Sequence, residues 1–101
     1  MKDRDQRIID VIRFLGEGEV VSYGDIAADA GFPGLARLVG HLLATSDLDL
    51  PWWRVVNSAG RLVPSHEPEQ AALLRAEGVR VANGHVRQAP VGRFASSRAS
   101  A

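Results

Sequence analysis

The sequence predicts one mainly α domain with small β-hairpins, organised around a helix–turn–helix. Three observations predict it. Residues 3–15 place Ile8, Val11, Ile12 and Leu15 at i, i+3, i+4 and i+7, the spacing of an amphipathic helix. Two short apolar-periodic segments flank the glycine-containing turn Gly31-Phe32-Pro33-Gly34, which is helix–turn–helix spacing. Asn83-Gly84 separates Val79-Arg80-Val81 from His85-Val86-Arg87, and Asn-Gly is the strongest two-residue hairpin signal.

Each element has a local reason. Gly16 and Gly18 end the first helix. Val20-Val21 is a short apolar entry, and Ser22 then opens Ser-Tyr-Gly-Asp, a capping box with Asp in place of the usual Glu. Ile26, Ala27 and Ala30 bury the short helix that follows. A helix over about 34–44 comes next. Its buried stripe is Leu35, Leu38, Val39 and Leu42, and Gly34, Arg37, Gly40, His41 and Ala44 lie on the other face. Residues 45–50 are a polar loop. Pro51-Trp52-Trp53-Arg54 leads into a strand at Val55-Val56, a turn at Asn57–Gly60 and a second short strand at Arg61–Val63. A helix opens over 64–67, with Pro68 in its first turn and Ser65 or Glu67 as cap. Ala71, Ala72, Leu73 and Leu74 bury it, and Gly78 follows its end. Residues 1–94 are read as the folded domain and 95–101 as a disordered tail.

Composition excludes several classes of function. The 101 residues are enough for one domain that buries roughly two thirds of its unfolded surface without staples. There is no cysteine, hence no disulfide framework, no thiolate metal site and no cysteine nucleophile. His41, His66 and His85 match no common zinc spacing. No metal and no other cofactor is expected. No apolar run approaches 18 residues, so a soluble cytoplasmic protein, nucleoid-associated if bacterial, with no membrane partner, is the expectation. Net charge is zero, but residues 1–50 hold five basic and nine acidic side chains, and residues 51–101 hold seven and three. Eleven of the twelve basic residues are Arg, which suits phosphates and stacking. GC-rich codon usage accounts for that bias equally well.

No catalytic motif is present. There is no Gly-x-Ser-x-Gly elbow, no phosphate loop and no His-Glu-x-x-His, and Gly16-Glu17-Gly18 lacks the third glycine of a dinucleotide fingerprint. The binding features are stronger. Trp52-Trp53-Arg54 puts two adjacent indoles beside a proline. On an extended chain they point to opposite faces, so one can pack in the core while the other lines a cleft; core and rim packing of both is the alternative. Arg37 shares its helix face with Gly40, and a mid-helix Gly costs about 1 kcal/mol relative to Ala while allowing close approach of another backbone. Tyr23 begins a short helix beside Gly24.

Four ordered segments then carry a resemblance. They are Val21-Ser22-Tyr23-Gly24-Asp25-Ile26-Ala27, Ala36-Arg37-Leu38-Val39-Gly40, Pro51-Trp52-Trp53-Arg54-Val55-Val56-Asn57-Ser58-Ala59-Gly60-Arg61-Leu62 and Leu73-Leu74-Arg75-Ala76-Glu77-Gly78-Val79. Together, over about residues 5–81, they resemble the DNA-binding domain of the O6-alkylguanine-DNA alkyltransferases, which implies a winged helix–turn–helix. That family's signature at this place is Pro-Cys-His-Arg-Val-Val. Its Cys accepts the alkyl group and is activated through the His and a downstream Glu. Here Trp52 stands at the Cys position, Trp53 at the His position, and Glu77 matches the Glu but has lost that partner. Trp at the Cys position is similar to the alkyltransferase-like branch, which binds alkylated DNA without repairing it. Many of that branch keep the His that Trp53 replaces. The family's Gly-Gly-Leu segment is replaced by Val63-Pro64-Ser65-His66, so its loop residues are not carried over. The chemistry agrees, since alkyl transfer needs a soft nucleophile and an indole has no comparable lone pair.

The resemblance implies roles. Ser22, Tyr23, Gly34, Ala36, Arg37, Gly40 and Ser58 are the expected DNA-binding set. Arg37 would enter the base stack, Tyr23 would press the adjacent phosphate and rotate the nucleotide out, and Ser58 would hold the backbone. Leu43, Trp52, Trp53, Arg54 and Val55 are the expected lesion pocket, with Trp52 facing it and Arg54 bracing the pocket loop. The expected partner of this monomer is double-stranded DNA with O6-alkylguanine. The bound lesion would be marked for nucleotide excision repair, and the acidic N-terminal half is a candidate surface for its damage-recognition proteins. Two other readings stand beside this one: a winged-helix transcription regulator, and a protein-interaction module without lesion specificity, which the neutral charge favours.

Overall fold

The computed structural model describes residues 2–95. The chain runs α1 (Asp3–Arg13), β1 (Glu19–Ser22), α2 (Tyr23–Asp29), α3 (Ala36–Thr45), a 3-10 turn (Trp52–Arg54), β2 (Val55–Val56), α4 (Glu67–Ala76), β3 (Arg80–Ala82), β4 (His85–Gln88) and β5 (Val91–Gly92). Among the described residues this is four helices with two small sheets.

The first three helices form where the periodicity places them. Ile8, Ile9 and Ile12 of α1 are fully buried, and Leu15 just beyond it nearly so. The capping box at Ser22 is complete: its Oγ accepts from the Asp25 N–H (3.0 Å), and Asp25 Oδ2 accepts from the Ser22 N–H (2.9 Å). Gly31, at φ +95°, ends α2 in a left-handed turn that glycine adopts without strain. Helix α3 starts at Ala36, with Leu35 at its N-cap position, so Gly34 lies outside it. The φ of +94° at Gly34 explains why the helix does not reach it.

The β structure departs from the expectation of hairpins alone. The three-stranded sheet has the order β2-β1-β5 and both pairings are parallel. The segment α2–α3 supplies the crossover that parallel β1 and β2 require. Val21 pairs with Val55, and Ser22 with Val56. Side chains alternate across a strand, so Val21 and Val55 face a core built with α1, α2 and α3, while Val20 and Val56 face a second core under α4 and the β3–β4 hairpin. Strand β5 has no signal in its two residues. It is possible because position 92 is glycine: φ is +92°, and a Cβ there would lie 2.5 Å from the Val20 carbonyl oxygen.

Two further expectations are corrected. Arg61–Val63 is not a strand. Asn57 Oδ1 accepts from the Ala59 and Arg61 amides (2.9 and 2.8 Å) and curls the chain, leaving a single bridge between Arg61 and His85. Helix α4 begins at Glu67 with His66 at the N-cap, and neither Ser65 nor Glu67 caps it. Ser65 is at φ +76°, in the left-handed region, which turns the chain before the helix starts. Ala72, expected in the core, is exposed. The β3–β4 hairpin forms as its Asn83-Gly84 turn predicts, with φ +54° and +73°. Of the expected tail, 96–101 lie outside the described residues, and Ala95 makes a bridge with Ala89.

Candidate nucleic-acid interface

The helix–turn–helix frames a cavity of about 350 Å³, within the range of small-ligand sites. Tyr23, Gly40, Leu43 and Ala44 form one wall, from α2 and α3. Trp52, Val63, His66 and Glu69 form the other. Gly40 and Ala44 are three and seven residues beyond Arg37, so Arg37 shares the cavity-lining face of α3, one turn nearer its start. Arg37 is exposed and makes no hydrogen bond or ion pair among the described residues. A Cβ at Gly40 would meet the Tyr23 ring at 3.8 Å, an ordinary contact, so an aromatic ring and not another backbone packs at this position. Tyr23 is half-buried, and burial pushes its phenol above the ordinary value, so the hydroxyl stays a neutral donor.

The indoles diverge, although not by the strand alternation expected of them. Residues 52–54 form a 3-10 turn, and the Trp rings meet edge to face at 6.3 Å and 89°. Trp52 turns into the cavity, where the His66 ring lies against it at 5.8 Å. Trp53 turns away and packs on the second core. Its Nε1 donates to Glu77 Oε2 (2.8 Å). Glu77 therefore has a partner at position 53, contrary to the expectation that it had lost one.

Glu77 gathers four donors. Oε1 accepts from the Gly18 amide (2.8 Å) and Arg54 Nε (3.0 Å). Oε2 accepts from Trp53 Nε1 and Arg54 Nη2 (2.7 Å). Burial alone would push the carboxyl up. The hydrogen bonds from Arg54, Gly18 and Trp53, and the Arg54 charge, outweigh it and hold the carboxyl below its ordinary value. Arg54 also donates to the Leu15 carbonyl (2.8 Å), and its guanidinium lies 5.2 Å from the Trp53 ring centre. The cluster ties the end of α1, the start of β1, the Trp turn and the end of α4 together behind the cavity. Arg54 thus braces the site, as expected, and lines no part of the cavity.

Four assignments change. Trp53, Arg54 and Val55 leave the pocket set: Trp53 and Arg54 belong to the Glu77 cluster, and Val55 is fully buried in the first core because β2 pairs with β1. Ser22 is 3% exposed with its hydroxyl committed to the cap, so it positions Tyr23 and presents no surface group. Gly34, Ala36 and Ser58 keep accessible places. Gly34 is in the turn before α3, Ala36 is its first residue, and Ser58 is exposed at the tip of the Asn57–Gly60 turn. Ala44, Val63, His66 and Glu69 line the cavity from outside the sequence-based set, and a further contributor lies behind its wall. Gln70 is fully buried, accepts from the Val63 amide (2.7 Å), and donates to the carbonyls of Trp53 (3.1 Å) and Val55 (3.2 Å). It locks the Trp turn to the cavity wall. The signal for it in the sequence is a Gln on the buried face of α4 with Ala71 and Leu74.

The description "6-O-methylguanine DNA methyltransferase, DNA binding domain" matches residues 3–79. The chain belongs to this family. Within it, two relatives are named for base flipping or for likeness to the transferases. A "DNA base-flipping protein" of Vibrio parahaemolyticus is 40% identical over 79 residues, 74% of this chain and 79% of the relative. "Alkyltransferase-like protein 1" of Schizosaccharomyces pombe is 32% identical over 81 residues, 74% of this chain and 75% of the relative. Among solved structures, S. pombe Atl1 in complex with damaged DNA containing O6-carboxymethylguanine superposes with a TM-score of 0.72 at 31% identity, covering 81% of this chain and 82% of that one. Mycobacterium tuberculosis OGT in complex with DNA gives 0.66 at 32% identity, covering 76% and 50%. The alkyl-acceptor position of the family is Trp52 here, and the chain has no cysteine, so it is not a cysteine-based alkyltransferase.

Proposed function

We propose that this protein binds duplex DNA at O6-alkylguanine, turns the damaged nucleotide into the Trp52 cavity and holds it there with the alkyl group intact. The observation that carries this reading is the cavity itself, with Trp52 where the family places its acceptor. A thiol there would be a reagent. An indole there is a stacking surface. The names and bound DNA of the relatives support the same reading.

Each step in this reading has a residue to carry it. Ala36, with its small side chain, and Gly34, with none, allow close approach where α3 meets the groove. Arg37, one turn from Gly40, fills the gap left by the extruded nucleotide. Tyr23 presses the adjacent phosphate with a neutral hydroxyl, and Ser58 holds the backbone from its turn. The β3–β4 hairpin takes the place of a wing. Extrusion costs a few kcal/mol, less for a poorly paired alkylated guanine. Stacking on Trp52 returns about 1–3 kcal/mol, and Leu43 closes the apolar wall. Without chemistry the complex acts by persisting, as a monomeric mark that recruits nucleotide excision repair proteins to the lesion.

The test is a duplex carrying 2-aminopurine beside O6-methylguanine. Extrusion unstacks the probe, so its fluorescence should rise several-fold on binding, and less with Arg37→Ala or Tyr23→Ala. Binding with no change in probe emission would refute extrusion.

A further inference from the structure

The cavity has a charge that its indole and aliphatic walls do not need. Glu69 is the one acidic side chain among the described residues that line it. It sits in the first turn of α4, is exposed, and makes no hydrogen bond or ion pair among the described residues. Glu67, two residues earlier, is turned elsewhere: its carboxylate lies against the Gly84 turn. On the same wall as Glu69, the His66 imidazole lies three residues earlier, against the uncharged Trp52 ring. Across the cavity, Tyr23 and Leu43 carry no charge, and Arg37 lies a turn away on α3. A sphere of about 350 Å³ is roughly 9 Å across, so any charge on a bound base lies within reach of the Glu69 carboxylate.

We propose that Glu69 sets the charge of the O6 substituent this pocket accepts, favouring neutral and cationic alkyl groups over carboxylate-bearing ones. The inference rests on the lesion-binding reading and adds a selectivity to it. The fold itself does not impose that selectivity, since S. pombe Atl1 is seen with DNA containing O6-carboxymethylguanine. The discrimination belongs to this chain's α4. For two negative charges about 6 Å apart, at an effective dielectric constant of about 40, between a protein surface and water, the repulsion is about 1.4 kcal/mol, roughly tenfold in affinity.

The experiment measures dissociation constants for three duplexes identical except for guanine, O6-methylguanine or O6-carboxymethylguanine at one position, at fixed salt and pH 8.0. The ratio of the two lesion affinities cancels the general repulsion between Glu69 and DNA phosphates. The expected result is a roughly tenfold preference for the methyl over the carboxymethyl lesion, a ratio near one for Glu69→Gln, and an inverted preference for Glu69→Lys. Equal binding of the two lesions by the parent protein, each better than guanine, overturns the inference and leaves lesion binding standing. A preference unchanged in Glu69→Gln overturns it equally and assigns the selectivity to shape. No preference for either lesion over guanine overturns both.

Discussion

Replacing Glu77 with Gln removes one charge and almost no volume, yet it should be among the most damaging single substitutions in the protein. Each carboxylate oxygen accepts two N–H donors: Gly18 and Arg54 on Oε1, Trp53 and Arg54 on Oε2. A carboxamide has only one acceptor oxygen. Whichever way it is turned, its NH2 faces two donors, so two hydrogen bonds are lost. Arg54 also loses its counter-charge while only 15% exposed, beside a glutamate that is 11% exposed. At about 1.5–3 kcal/mol for a hydrogen bond to a charged group, and with some rescue by water at the exposed edge, the expected loss is about 2–4 kcal/mol. For a domain of this size that lowers Tm by roughly 10–25 °C. Thermal and urea unfolding followed by circular dichroism measure it. In a double-mutant cycle, Trp53→Phe should cost less when combined with Glu77→Gln than alone, because the lost indole donor no longer has a full acceptor. The pH dependence has a definite sign. The Glu77 carboxyl is held below its ordinary value of 4.5, so its contribution is complete at neutral pH and is lost as pH falls below that value toward the folded one. The gap between parent and Glu77→Gln should therefore narrow in acid. A variant within about 0.5 kcal/mol of the parent at pH 7, or a gap unchanged at pH 3, would refute the reasoning.

The other predictions are simpler. Gln70→Leu leaves the Val63 amide and the Trp53 and Val55 carbonyls without their partner, and should cost about 2–3 kcal/mol in urea unfolding and broaden Trp emission. Gly92→Ala should cost at least ~2 kcal/mol, or release β5 from β1 as seen by hydrogen exchange at Val91 and Arg93, because the new Cβ meets the Val20 carbonyl. Arg37→Ala should leave stability within about 0.5 kcal/mol of the parent, since the side chain is exposed, while weakening lesion binding about tenfold or more in an anisotropy titration.

What is legible in the sequence follows the range of each signal. Periodicity and caps are local, so α1, the Ser22 capping box and the Asn83-Gly84 hairpin stand where the sequence predicts them. Trp52 falls in the pocket because it occupies the acceptor position in the family pattern. Some misplacements are local: the Asn57 side chain curls residues 57–61, Ser65 turns the chain before α4, and Ser22 spends its hydroxyl on its own cap. The others depend on distant partners. The family pattern points Trp53 to the pocket, but its direction is set by a carboxylate 24 residues away. The same pattern points Val55 there, but its burial is decided by the parallel pairing with Val21. Strand β5 is two residues long and is defined only by what β1 offers it. Gln70 stands beside Ala71 and Leu74 on α4, but its partners are fixed only when the Trp turn and the Val63 wall fold against it.

Whether the Trp52 cavity receives an O6-alkylated guanine is decided by a fluorescence anisotropy titration of two short duplexes that differ only by O6-methylguanine in place of guanine, at fixed salt, with Trp emission read in parallel on the parent and on Trp53→Phe. The expected result is a clear preference for the modified duplex, with quenching that persists in Trp53→Phe because Trp52 is the stacked indole. Equal affinity for the two duplexes, or quenching that disappears with Trp53, would contradict it.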